Sequence, residues 1–458
     1  MTRLRTVHRC TECGTGAPRW SGRCNGCGEW NTLVEEVEEV RSSTSTAAAT
    51  RRPGHVPEQP VPILEVDAAE FSARPTGIGE LDRVLGGGFV PGSITLVGGE
   101  PGIGKSTLLL QALGALAATG ARGLLVSAEE SKQQVRLRAE RLGTLDPRIL
   151  LLSETSLPDV IAAVESTSPD YLVIDSIQTV FEPDLQSAPG SVAQVRECAH
   201  QLVQLAKQRA MATVLVGHVT KEGALAGPRV LEHIVDTVLS FEGDRHHALR
   251  MLRAAKHRFG STEELGLFEM NEQGLVGVPD PSGLFLGDRT TNVPGSVVVP
   301  AMEGHRPLLV EVQALVAPSS LAMPRRSAQG LDQGRLSLLL AVLERRVGLT
   351  FSGVDVYVSA VGGVRINEPG ADLAVALALA SAVTGTALPP QLVACGEIGL
   401  GGELRQVGHT TRRLAEAARL GFDEAIVPNS APDAPSGLRL HRVASLAEAI
   451  DAAQLVMT

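Results

Sequence analysis

The chain has 458 residues, too many for one ordinary core, so two or three domains are expected from a composition that is otherwise globular (43% hydrophobic, 20% charged). A formal net charge of −10 excludes a uniformly basic nucleic-acid coat, so any DNA contact has to come from a local patch or a ring lumen. Aromatic residues at 3% exclude plentiful base-stacking platforms.

The first nine residues are basic and polar with no apolar stretch behind them, which predicts no export signal and a cytoplasmic protein. In a reducing compartment the six cysteines point to metal rather than to disulfides. Four of them form two C-x-x-C knuckles, Cys10 with Cys13 and Cys24 with Cys27, separated by ten residues. Gly14, Gly26 and Gly28 stand at the turns, so four thiolates can surround Zn²⁺ tetrahedrally and the metal can supply folding energy that so short a segment lacks. Cys198 and Cys395 stand apart and read as ordinary buried residues. The first 30 residues carry Arg3, Arg5, Arg9, Arg19 and Arg23 against Glu12 and Glu29, a local charge of +3, and hold Trp20 and Trp30, the only tryptophans. Nucleic-acid or partner contact and packing onto a small metal core are both open for these two rings. Residues 1–34 are therefore expected as a four-cysteine zinc finger. Residues 35–70 are expected as a flexible linker, from the acidic run Glu35, Glu36, Glu38 and Glu39, a Ser/Thr/Ala tract and Pro53, Pro57, Pro60 and Pro62.

From 71 to 281 strands alternate with helices. Short apolar strands are predicted at 93–97, 123–127, 149–152, 171–174, 213–216 and 237–241, with helices at 131–142 and 191–209, the pattern of a doubly wound α/β sheet. Between the first strand and its helix lies Gly99-Glu100-Pro101-Gly102-Ile103-Gly104-Lys105-Ser106-Thr107, a complete G-x-x-x-x-G-K-[ST] loop. Its glycines let backbone N–H groups and the helix N-terminus face a polyphosphate, so the chain is expected to bind ATP. Lys105 would sit on the β- and γ-phosphates and the Ser106 hydroxyl would be a Mg²⁺ ligand. The strand Tyr171-Leu172-Val173-Ile174 ends in Asp175, the Walker B arrangement for orienting Mg²⁺. At the end of another strand stand Glu129 and Glu130; Glu129 fits best as the carboxylate for the hydrolytic water, with Glu130 second. Gln178, His218 and Lys221 follow strand ends and are candidate γ-phosphate sensors.

Residues 75–82 and 85–93 (Pro-Thr-Gly-Ile-Gly-Glu-Leu-Asp, then Leu-Gly-Gly-Gly-Phe-Val-Pro-Gly-Ser) resemble RecA/KaiC-type ATPases. Together with the knuckles they resemble the RadA (Sms) family of bacterial DNA repair proteins over essentially the whole chain. That family carries Lys-Asn-Arg-Phe-Gly, and this chain has Lys256-His257-Arg258-Phe259-Gly260, with His257 where Asn is usual. Lys-x-Arg also resembles the finger pair of DnaB-type helicases, whose two cations reach a neighbouring subunit's nucleotide. The resemblance thus implies catalytic roles for Lys256 and Arg258 and a homo-hexameric ring.

A third domain, 290–458, follows a Gly- and Pro-rich boundary. It is expected to hold a strand at 354–361 and helices at 336–347, 371–383 and 411–420, with residues 371–388 a packed helix rather than a membrane span. Residues 396–408 resemble the Lon protease domain, whose chemistry needs a serine and a lysine; here Ala371 and Thr411 stand at those positions. Arg325, Arg326, Arg335, Arg345, Arg346, Arg365, Arg412 and Arg413 are candidate phosphate contacts.

The resemblance implies an α/β protein with a zinc-ribbon-like N-terminal module, a RecA-like P-loop ATPase core and a Lon-protease-like α/β C-terminal domain that is not proteolytic. It implies a DNA-dependent ATPase that branch-migrates recombination intermediates with RecA on single-stranded and branched DNA, in the cytoplasm near the nucleoid and with no membrane partner. A non-translocating, ATP-switched mediator of RecA is the alternative, and an ATP-dependent Lon-like protease a distant third.

Overall fold

Apolar runs of four to six residues, too short for helices and rich in Val, Ile and Leu, form the parallel centre of the larger sheet. The computed structural model describes residues 3–10, 15–26, 28–40, 61–65, 71–219, 225–226, 230–243, 249–321 and 323–455. Cys13, Cys27 and Lys221, most of the expected linker, and the side chain of His218 lie outside the described residues. The chain divides into two units, before and after the Val278–Pro279 bond.

In the first unit the strands Thr237–Glu242, Ile94–Gly99, Ala212–Val216, Tyr171–Asp175, Gly123–Ser127 and Ile149–Leu152 lie side by side in that order, all parallel. Both faces of the sheet are buried. Leu125, Val173, Val214 and Val216 enter one apolar cluster with the Lys105–Ala118 helix, while Leu124, Val126, Leu172, Ile174 and Leu215 enter another with Val192–Gln208. Alternate residues of one strand point to opposite faces, so continuous apolar runs mark strands covered on both sides. The helices begin where side chains can accept the first free backbone N–H groups. Ser131 forms a capping box with Gln134, and Ser191 accepts from the Gln194 N–H.

Beyond Thr237–Glu242 the sheet continues antiparallel through Leu249–His257, Leu265–Asn271 and Gly274–Gly277. Lys256 and His257 therefore end a strand. Thr237 pairs with Thr95 on one side and with His257 on the other, which brings the end of this strand level with the start of Ile94–Gly99. The metal module is separate in character: Arg3–Cys10 pairs with Gly16–Ala17 and with Leu33–Val40. Its described core is Cys10, Cys24 and Leu33, with Ala17 against them. Trp20 and Trp30 do not join that core; they are 58% and 68% exposed.

The second unit has a seven-stranded sheet in the order Arg326–Gln329, Val354–Ala360, Arg306–Pro318, Ser296–Glu303, Leu392–Ala394, Glu424–Pro428, Arg439–Val443. The helix Asp372–Thr384 packs on its central strands, with every residue from Asp372 to Ser381 buried, and no described helix is long and apolar enough to cross a membrane. The expected 336–347 helix is an α-helix over Gln333–Val342 that ends in a π-turn, Leu343–Val347. Cys395 is buried here and Cys198 in the first unit, and burial pushes their thiols up to about 11 and about 12, as inert core cysteines.

Three of the eight arginines expected to hold phosphate are committed within this unit. Arg413 is 1% exposed, pairs with Glu368 and donates to the carbonyls of Pro300 and Gly408. Arg335 pairs with Asp372, and Arg326 donates to the carbonyls of Phe351 and Val354. A guanidinium satisfied by its own chain has little left for a phosphate, so these three are withdrawn; Arg325, Arg345, Arg346, Arg365 and Arg412 remain exposed. Arg413→Met should cost about 3 kcal/mol of this unit's stability, because Glu368 and two carbonyls lose their donor. Urea unfolding followed by circular dichroism measures it, and an unchanged midpoint would contradict the buried-pair reading.

Candidate active site

Where Ile94–Gly99 ends, the chain turns through a glycine loop into the helix Lys105–Ala118. Gly102 and Gly104 have φ of 79° and 117°, which other residues rarely adopt. A Cβ on Gly99 would lie 2.5 Å from the Phe241 carbonyl oxygen, and one on Gly104 would lie 2.7 Å from Met270 Cε. The loop is thus a bare-backbone cradle at a helix N-terminus, which fits a triphosphate. Lys105 is 5% exposed, and its Nζ donates to the carbonyls of Gly99 (2.8 Å) and Glu100 (3.0 Å). Burial pulls its pKa down, while Asp175 and then Glu129 push it back up.

The pairing of Gly123–Ser127 with Tyr171–Asp175 sets Ser127 opposite Asp175, so both strands end at the edge where the P-loop begins. Ser106, one residue into the helix, hydrogen-bonds the Asp175 carboxylate. Burial raises the Asp175 pKa, and that hydrogen bond lowers it. Ser106 and Asp175 are thus in contact, as two residues sharing one Mg²⁺ would be.

The two neighbouring glutamates part company. Glu129 accepts a hydrogen bond from the Ser176 hydroxyl and acts electrostatically on Lys105 and Asp175. Glu130 pairs with Arg138 on the next helix, and its N–H donates to Ser127 Oγ. Of the two glutamates, Glu129 is therefore the one whose charge acts on the P-loop lysine. Gln178 approaches Gly217, with Nε2 3.5 Å from where a Cβ there would stand.

Lys256 and Arg258 lie at the other end of the sheet. Lys256 Nζ donates to the carbonyls of Glu232 (2.6 Å) and Val235 (2.7 Å), at the end of the short helix Val230–Ile234. Burial lowers its pKa, and Arg258 adds to that. Arg258 Nη1 donates to Asp236 Oδ1 at 2.9 Å, and Asp236 Oδ2 accepts the Ile94 N–H at 3.0 Å. Ile94 opens the strand that leads to the P-loop, so five residues, roughly 16 Å of strand, separate this cluster from Gly99. His257, between the two cations, accepts the Phe259 N–H on Nδ1 at 3.2 Å, and burial lowers its pKa. Neither Asp236 nor Ser176 was singled out from the sequence. Ser176 could have been found as the residue after the Walker B carboxylate, whereas Asp236 carries no local motif.

In the metal module Cys24 Sγ accepts the Gly26 N–H at 3.3 Å, the contact a knuckle makes to a thiolate, and Cys10 Sγ lies 3.2 Å from Thr32 Oγ1. Both cysteines are buried together in one small cluster, an arrangement that suits a bound metal. In the C-terminal unit Ala371 is buried and Thr411 exposed, and neither carries a nucleophile–base pair of the serine–lysine kind.

Comparison with known proteins follows the same division. The family described as AAA domain matches residues 57–224, the rubredoxin metal binding domain residues 8–35, and the Lon protease (S16) C-terminal proteolytic domain residues 347–440. The chain is 48% identical to the DNA repair protein RadA of Bacillus subtilis (strain 168) over 98% of its own length and 99% of that protein's. It is 51% identical to the DNA repair protein RadA of Pseudomonas aeruginosa over 99% of each chain. A solved structure, the KaiC-like protein PH0186 of Pyrococcus horikoshii OT3, aligns with a TM-score of 0.39 at 22% identity, covering 46% of this chain and all of that one.

Proposed function

We propose that this chain, which belongs to the RadA family of DNA repair proteins, is a DNA-dependent ATPase that completes its active site between neighbouring copies and moves branched recombination intermediates. The observation that carries this reading is the placement of Lys256 and Arg258 at the sheet end opposite their own P-loop. Cations so placed cannot serve their own nucleotide, but can serve one held by the next subunit of a ring. An arginine against a γ-phosphate stabilises the charge developing in phosphoryl transfer. A homo-hexamer acting on single-stranded and branched DNA with RecA is the assembly this reading requires.

Within one chain, Lys105 and the loop N–H groups hold the β- and γ-phosphates. Ser106 and Asp175 would hold Mg²⁺, which neutralises phosphate charge when bound. Glu129, kept in place by Ser176, accepts the proton of the attacking water. Cys10, Cys13, Cys24 and Cys27 would hold Zn²⁺ as a structural ion. The Lon-like unit, with Ala371 and Thr411 at the dyad positions, serves as an assembly and DNA-contact scaffold rather than a protease. Arg325, Arg345, Arg346, Arg365 and Arg412 are its candidate phosphate contacts.

Glu129→Gln should lower kcat about 10²-fold while ATP still binds, and Glu130→Gln should leave kcat close to wild type. Steady-state ATPase assays alongside nucleotide-binding titrations measure both, and the reverse pattern would move the catalytic role to Glu130. A branch-migration assay with and without RecA tests the function as a whole. ATP turnover stimulated by DNA with no movement of the junction would favour an ATP-switched mediator.

A further inference from the structure

The described residues of the metal module bury Cys10, Cys24 and Leu33 together, with Ala17 packed against them, and leave both tryptophans of the chain outside. We infer that Trp20 and Trp30 form a stacking platform for the bases of single-stranded DNA. An indole costs free energy to keep in water and the described part of the metal core does not use these two, so both rings offer apolar faces to a ligand. The polar groups around them select which. Trp30 is backed by Gly22, where a Cβ would stand 3.6 Å from the ring. The Arg23 guanidinium lies 5.9 Å from the Trp30 ring centroid and is fixed there by a 2.7 Å hydrogen bond from Nε to the Gly28 carbonyl. Arg19, next to Trp20, is exposed; among the described residues Glu29 lies on the same loops, and Glu35, Glu36, Glu38 and Glu39 lie on the strand Leu33–Val40.

Among the module's described side chains, the exposed large apolar ones besides Val34 are these two indoles. Flat aromatic faces beside guanidinium groups match a ligand that alternates bases with phosphates better than an aliphatic protein surface. The platform is distinct from the arginines of the Lon-like unit, and it suits a chain with few aromatics elsewhere. It rests on the proposal that DNA is the polymer this protein works on.

The sequence supplies its own reporter, because intrinsic indole fluorescence comes from this module alone. Full-length protein is titrated with oligo-dT and, separately, with an abasic oligomer of equal length, while anisotropy of a labelled oligo-dT reads total binding. Oligo-dT should quench the indole emission and the abasic oligomer should not. Trp20→Ala with Trp30→Ala should weaken oligo-dT binding about tenfold, and Trp20→Phe with Trp30→Phe should restore most of it. Binding by anisotropy with unchanged indole emission overturns the platform and leaves the ATPase reading intact. Equal loss in the Ala and Phe variants also overturns it, since the rings would then matter for folding alone. Absence of any oligo-dT binding removes the functional reading together with the platform.

Discussion

Replacing Lys105 by alanine lowers kcat for ATP hydrolysis about 10³-fold or more, to the level of background turnover. The expectation follows from where the ammonium sits. It is buried, it bridges the carbonyls of Gly99 and Glu100 across the loop, and Asp175 and Glu129 act on it electrostatically. When a triphosphate fills the cradle, the same flexible side chain turns onto its oxygens, where charge develops as the γ-phosphoryl group leaves. Without Lys105 two carboxylates face the phosphates with no side-chain cation between them. Nucleotide binding weakens too, because part of the lysine's interaction exists before the transition state. Phosphate release is measured with the purified variant, and wild-type turnover would contradict the P-loop assignment.

Arg258→Ala is the second large effect. DNA-stimulated kcat should fall by about 10³–10⁵ while the apparent ATP affinity stays near that of the wild type. The split follows from geometry, since Arg258 makes no contact with its own P-loop and pairs instead with Asp236. Arg258 is half exposed but Asp236 is buried, so breaking the pair also costs some stability, although Asp236 keeps its hydrogen bond to the Ile94 N–H. Arg258→Lys should not restore the rate, because an ammonium lacks the planar fork of a guanidinium. Loss of ATP affinity in parallel with kcat would place Arg258 in the binding of its own nucleotide and remove the role in trans.

What could be read from the sequence is what is local. The P-loop declares itself because glycine spacing, lysine and hydroxyl all fall within nine residues bracketed by a strand and a helix. Asp175 declares itself because an apolar run stops at a carboxylate. Both depend on neighbours in sequence, and the structure brings them to one edge of the sheet. The antiparallel extension was less visible. Leu249–His257 carries Arg250 and Arg253 inside the strand, which breaks the apolar signature, and so the sequence predicts no strand there.

The choice between Glu129 and Glu130 needs the next helix, since Arg138 takes one of them and Ser176 the other. Burial of charge was misread for a related reason. Arg413 looks like a surface cation in sequence because its partners, Glu368 and the Pro300 carbonyl, lie far from it along the chain. The indoles of Trp20 and Trp30 stay open in the sequence for the opposite reason, since only the three-dimensional structure shows both exposed and outside the described core.

Completion of the active site by a neighbour is tested most directly by mixing two inactive proteins. Lys105→Ala keeps Arg258 but has no working P-loop, and Arg258→Ala keeps the P-loop but has no finger. In the proposed ring, a mixture would contain junctions at which an intact P-loop of one chain faces an intact Arg258 of the next. DNA-stimulated ATP hydrolysis should therefore reappear in the mixture and be absent from either variant alone. A mixture that assembles into common oligomers yet stays inactive at every ratio would contradict a site shared between subunits.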